Sequence, residues 1–281
     1  MLVANDSIQD RCVAWKTDKD KAPFFCPECN KEVTLKKGRI REHHFAHLPP
    51  VSCIYGQGES DKHFKIKRAI YEALSSHPNC SKCEVERILK GVRPDISLYV
   101  HKTPVAIEIQ KSSIDINEII RRTKKYSDLK IHLIWIIPDD TFTNAKLGKN
   151  NKLICRPKEW QKFLHAMYYG RIYVWHKEAL VKPVHLDPYK WYFEKGNWID
   201  DHCEKINEDL ENTYWYSDNY DNAHYGGFWK TSKSEKELVY PDIPYLHLAE
   251  DFRDVLRENF HTNKYEIPSC KLWTDKQQKW W

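Results

Sequence analysis

Two short runs decide how this chain folds: Arg93-Pro94-Asp95-Ile96-Ser97-Leu98-Tyr99-Val100 and, four residues on, Val105-Ala106-Ile107-Glu108-Ile109-Gln110. Side chains alternate along a strand. Ile96, Leu98 and Val100 therefore share one face with Val105, Ile107 and Ile109 as its counterpart, while Asp95 falls opposite with Ser97 and Tyr99, and Glu108 with Ala106 and Gln110. Paired as a hairpin, the two strands put Asp95 beside Glu108. Two carboxylates that close repel unless a proton or a cation lies between them, and an all-oxygen set suits a hard ion such as Mg²⁺ or Mn²⁺. An acid inside a strand as apolar as residues 105–109 needs such a partner if the strand is central. The plainer alternative is that Asp95 ends a strand and Glu108 faces solvent.

Upstream, residues 59–75 carry Ile66, Ile70, Ala73 and Leu74 at helical spacing,. Glu59, His63 and Lys67 recur every fourth residue beside that apolar stripe,. They offer a third carboxylate, a group to position or deprotonate water, and a cation for a phosphate. Phosphodiester hydrolysis needs a nucleophile and neutralisation of developing charge. Upstream of the hairpin, residues 83–89 read as a strand in which Glu84 and Glu86 suit an edge, with Glu86 able to join the site. Downstream, Ser112 or Ser113 caps a helix reaching about residue 127, and residues 131–137 form a buried strand ended by Pro138,. The order is helix, strand, strand, strand, helix, strand. A polar loop over residues 139–151 closes the unit.

The first 56 residues consist of short elements around Cys26-Pro27-Glu28-Cys29 and His43-His44-Phe45-Ala46-His47. Cys26, Cys29, His44 and His47 make two clips of soft or borderline ligands, as tetrahedral structural Zn²⁺ prefers, in a region with little core of its own. His43 and Cys53 compete for one position, and a redox-active cysteine pair is the alternative. A second pair, Cys80 and Cys83, lacks evident histidine partners beyond His77. The nine cysteines of the chain, an odd number in uneven groups, fit a reducing compartment better than a disulfide framework,.

Composition bounds the rest. The chain has 281 residues with 41% hydrophobic and 30% charged side chains, enough for two domains with a core and no match to collagen, disorder or a disulfide miniprotein. Residues 1–150 hold 26 Lys and Arg against 19 Asp and Glu, a net of +7, while residues 151–281 hold 19 against 21, a net of −2. The basic part suits a polyanion. No apolar run spans a bilayer, and Asp6 and Asp10 precede the first basic residue, unlike a signal peptide,. A cytoplasmic protein without membrane contact is expected. Nine of the eleven Trp lie beyond residue 157, ending in Trp280-Trp281. They suit core packing, a protein interface or stacking on single-stranded bases. Phe252, Val255, Leu256 and Phe260 fit one face of a late amphipathic helix,. Three domains follow: 1–56, 57–157 and 158–281.

Taken in order, Phe25-Cys26-Pro27-Glu28-Cys29, His44-Phe45-Ala46-His47, Cys53, Glu59-Ser60-x-x-His63-x-x-x-Lys67, Arg93-Pro94-Asp95-Ile96 and Ala106-Ile107-Glu108-Ile109-Gln110 resemble the competence protein CoiA-like family over roughly residues 1–140. Its central domain belongs to the PD-(D/E)xK restriction-like nuclease superfamily. The resemblance implies an α/β fold with a restriction-endonuclease-like α-β-β-β-α-β mixed sheet, an N-terminal zinc-binding module and an aromatic-rich C-terminal domain. It further implies Asp95 and Glu108 as the acids that hold the divalent ion, Glu59 as the helix-borne acid, and Gln110 at the superfamily's usual lysine position. Glutamine brings no positive charge and can only orient by hydrogen bonds, and Lys111 falls on the opposite face, which leaves Lys67 as the cation. The expectation is an Mg²⁺- or Mn²⁺-dependent DNA endonuclease acting on incoming or foreign DNA in transformation, recombination or phage defence. A protein partner or self-association would use the C-terminal part. The rivals are a catalytically impaired nuclease fold that only binds, a nuclease for RNA, and an interaction protein that recruits a partner through its Trp-rich half.

Overall fold

The computed structural model describes residues 1–51, 53, 59–193 and 228–277. Gly56 and Gly58, the expected boundary near residue 57, and the Trp280-Trp281 tail lie outside the described residues.

The N-terminal region is a five-stranded antiparallel sheet in the order β2-β1-β3-β4-β5, built from β1 (Val3–Asn5), β2 (Arg11–Val13), β3 (Phe24–Phe25), β4 (Glu32–Lys36) and β5 (His44–His47). It encloses a small core of its own, in which Phe24 and Phe45 meet edge to face,.

Next come α1 (Asp61–Ser75), β6 (Cys80–Val85), β7 (Ile96–Val100), β8 (Thr103–Ile109), α2 (Ile116–Asp128) and β9 (His132–Pro138), the order read from the sequence. Ser60 caps α1 by accepting from His63 N, so Glu59 sits just before the helix,. The cap of α2 is Asp115 rather than Ser112 or Ser113. Strand β6 ends four residues earlier than expected, because Glu86 takes a left-handed backbone conformation (φ 49°) that turns the chain,. The hairpin forms in the expected register: Ile96 faces Ile107 and Ser97 faces Ala106. Then β8 runs parallel to β9, whose seven residues are all buried, as an internal parallel strand should be.

The remainder comprises β10 (Lys146–Leu147), β11 (Leu153–Cys155), α3 (Glu159–Met167), β12 (Ile172–Lys177), β13 (Leu180–Phe193), β14 (Phe228–Val239), β15 (Leu246–His247), β16 (Phe252–Arg257), β17 (Phe260–His261), β18 (Glu266–Ile267) and β19 (Cys270–Asp275). All of these but β17 and β18, which pair with each other, build with β6 to β9 one twelve-stranded mixed sheet, β10-β11-β14-β13-β12-β9-β8-β7-β6, with β15 on β13 and with β19, itself paired to β16, on β9. The division expected at residue 158 does not interrupt this sheet. Both β12 and β19 pair with β9 in parallel, and one apolar core runs from Leu2 to Trp273. The late amphipathic helix is absent: residues 252–257 form β16, antiparallel to β19. The apolar spacing fitted a helix over too short a stretch, and pairing with β19 settles it as a strand.

Candidate functional site

The start of α1, the turn after β6, the hairpin β7–β8 and helix α2 converge on a cavity of about 380 Å³. Glu59, His63, Lys67, Asp95, Glu108 and Gln110 all line it, joined by Glu86, Arg93, Arg121 and Arg122. Alternation within the hairpin delivers Asp95, Glu108 and Gln110; the four-residue spacing at the start of α1 delivers Glu59, His63 and Lys67, the turn after β6 Glu86, and α2 Arg121 and Arg122.

Asp95 is the hub. It accepts from Ile109 N (2.7 Å) and from His63 Nε2 (3.2 Å), and pairs with Lys67 Nζ (2.8 Å). Despite burial, the Lys67 charge and the hydrogen bond to His63 hold its carboxyl well below the usual carboxylate range,. Lys67 is nearly fully buried and also reaches Glu59 (2.5 Å) and Glu86 (2.9 Å). This corrects the expectation that Lys67 greets a phosphate. Its ammonium instead pairs with two buried carboxylates, Glu86 and Asp95, and the half-buried Glu59, because a buried charge must be paired. Glu86 takes part through that same turn, accepting from Leu2 N (2.9 Å) and pairing with Arg93.

Glu108 departs from the expected arrangement. It is 2% exposed and shares the cavity, but Tyr126 Oη donates to it (2.5 Å) and Arg122 pairs with it, both from α2. Burial outweighs the help of Arg122 and pushes its carboxyl up to about 7,. The ligand atoms that lie within 4.8 Å of one another are those of Glu59, His63 and Asp95. Gln110 bonds Ser112 O through its side-chain amide (2.7 Å). Arg122 and Tyr126 were not anticipated; their only signal was a one-turn spacing on the face of α2 turned to β8.

The donor set admits a divalent cation. Glu59 and Asp95 give oxygens and His63 a nitrogen, and Glu59 Oε2, facing Met1 N at 3.6 Å, is buried without a hydrogen bond. Lys67 already draws three carboxylates to one point as a bound cation would.

In the N-terminal sheet, Cys26, Cys29, His47 and Cys53 place their ligand atoms within 4.8 Å of one another. Cys26 Sγ lies 4.0 Å from Cys53 Sγ, and Cys29 Sγ lies 3.3 Å from His47 Nε2. The loop from Cys26 to Lys31 closes through Asn30 in the left-handed region (φ 55°). Burial lowers the His47 pKa and keeps the ring neutral, as a ligand must be,. His44 is not in the set: its Nδ1 meets Glu42 O (2.8 Å) and its ring stacks on Phe64. The expected clip of His44 and His47 does not form, because the pair lies on strand β5, where residues three apart project to opposite faces,. Cys80 and Cys83 join no ligand cluster among the described residues.

The chain matches the description "Competence protein CoiA, N-terminal domain" over residues 9–56 and "Competence protein CoiA, nuclease-like domain" over residues 59–183. The curated "Competence protein CoiA" of Bacillus subtilis (strain 168) is 25% identical over 169 residues, 59% of this chain and 44% of that protein. The match thus spans less than half of that relative's length. No solved structure matches. With both of the family's domains matched in order, and the motif acids gathered in the second, the chain belongs to the competence protein CoiA-like family.

Proposed function

We propose that this protein is a metal-dependent nuclease of restriction-like fold that hydrolyses DNA phosphodiester bonds. The observation that carries this reading is the gathering of Glu59, His63, Asp95 and Glu108 in one cavity bordered by Arg121 and Arg122. Glu59, Asp95 and His63 would hold Mg²⁺ or Mn²⁺, which supplies an activated water and offsets charge on the phosphate. The protein's own groups do the rest. Lys67 fixes the acids in place, and His63, bonded to Asp95, can direct a proton. A Glu108 carboxyl titrating near neutrality is suited to accept one from water. Gln110 orients without adding charge. The basic first half would follow the phosphate backbone. In the N-terminal sheet, Cys26, Cys29, His47 and Cys53 would hold a structural Zn²⁺.

Purified protein on supercoiled plasmid and on single-stranded DNA tests this, with Mg²⁺, Mn²⁺ or neither, beside Asp95→Asn and Glu108→Gln. Cation-dependent cutting by the wild type, lost in both variants, is the expected result. A chain that binds DNA and never cuts would favour the binding module, for which Gln110 is the motivating residue, and cutting confined to RNA would move the substrate. The transformation, recombination or defence setting, and any partner of the C-terminal part, follow from the family and extend this proposal.

A further inference from the structure

A second cavity, of about 700 Å³, opens between the turn after α3 and the end of β16, and shares no residue with the first. Arg257 lines it and is only 5% exposed. Its guanidinium is clamped between two rings, 3.8 Å from the Tyr169 centroid and 4.8 Å from that of Phe260,. Nε and Nη1 are buried and have no hydrogen-bond partner. The contrast with Arg171, the other buried arginine among the described residues, is sharp, since it meets Asp275; the half-buried Arg93 and Arg122 likewise meet Glu86 and Glu108. Glu258 also lines the cavity, but it is exposed and forms no ion pair with Arg257. A guanidinium buried without an anion costs stability, so its retention at this place points to an anion from outside.

The surroundings say which one. The two clamping rings are 42% and 44% exposed, so each presents a free aromatic face beside the guanidinium. Arg253, Val255 and Arg257 share a face of β16,. Arg253 lines an adjoining cavity of about 430 Å³ that meets the Arg257 cavity at Tyr169. Four strand residues span about 13 Å, so the two arginines mark a line rather than a point. Cations in a row, with Tyr169 common to both cavities and Phe260 beside Arg257, suit a strand of nucleotides whose bases are unpaired.

We propose that this groove binds single-stranded nucleic acid, with Arg257 holding a backbone phosphate and Tyr169 and Phe260 stacking the neighbouring bases. The inference rests on the nuclease reading for its choice of DNA, and gives that enzyme a strand-holding site apart from its acids.

Binding of a fluorescein-labelled thymidine 12-mer is followed by anisotropy, with no divalent ion, in a Glu108→Gln background. Arg257→Met should weaken it roughly tenfold, and Phe260→Ala, at an exposed position, should do likewise. Arg257→Met should melt no lower than its parent, since it removes a charge lacking a carboxylate partner. Inorganic phosphate should raise the melting temperature of the parent and not of Arg257→Met. Unchanged 12-mer affinity in both variants would overturn the proposal, as would a lowered melting temperature with unchanged affinity, which assigns the clamp to folding alone. Thymidine 5′-monophosphate binding as tightly as the 12-mer would replace the strand with a free nucleotide. Should Arg257→Met fail to fold, Phe260→Ala decides. The readout is binding by a chain that cannot cut, so its failure leaves the nuclease reading standing, and an inactive wild type leaves this one standing.

Discussion

At the scale of residues, charge pairing in the first cavity sets what each substitution does. Lys67→Met strands Glu59, Glu86 and Asp95 without their shared cation, and removing one member of a buried pair costs about 3–5 kcal/mol,. A lowered denaturant midpoint, partly restored by millimolar Mn²⁺, is the expected outcome. Glu108 predicts a pH dependence. The folded chain keeps its proton up to about pH 7, whereas an unfolded glutamate loses it near 4.5. Between those values the folded state binds more protons, so this group's contribution to stability falls as pH rises from 4.5 to 7 and levels off above. Unfolding curves from pH 5 to 7.5 should show Glu108→Gln gaining on the wild type by at most about 1.4 kcal/mol per pH unit. A constant gap would refute the shifted titration. The acids of the hairpin were legible in the sequence because period-two alternation is a local property. Glu86 was legible as a candidate, though not the backbone turn that brings it in; Arg122 and Tyr126 were not, because they reach Glu108 across the packing of α2 on the sheet.

At the scale of elements, the same pattern of histidines means different things on a turn and on a strand. Strand β5 sends His47 toward the cysteines and His44 toward α1. Zinc content by atomic absorption should therefore fall in Cys53→Ser and stay at the wild-type level in His44→Ala; the opposite pattern would restore the clip on a turn. The elements of the α-β-β-β-α-β unit were readable because each carries a period long enough to recognise, with a capping residue or a proline at its end. Strand β16 was not. Six residues, Phe252 to Arg257, hold too little periodicity to tell strand from helix, and β19, which decides the matter, arrives thirteen residues later,.

At the scale of the whole molecule, the sheet crosses the compositional border near residue 157. Trp-rich sequence and negative charge suggested a separate unit, but composition reports the surface more than the connectivity of strands. Residues 1–157 alone would keep β8 on one side of β9 and expose its other edge, the one shared by β12 and β19, and an apolar strand with an open edge aggregates. Such a truncation should be insoluble or protease-sensitive, whereas loss of an independent domain would leave a soluble, folded remainder. Limited proteolysis of the two forms separates these outcomes.

The position of β9 also bears on how the chain is made. Its neighbours begin at Val105 on one side and end at Leu272 on the other. During synthesis, its seven residues, apolar but for His132, emerge well over a hundred residues before the last strand that shields them. At about 5–20 residues per second, that interval is several seconds or more, against the microseconds in which a nascent apolar segment collapses. A protein with its central strand made mid-way and sealed only near the end is a natural client for whatever holds unfinished chains, and its yield in a cell should respond to the speed of translation.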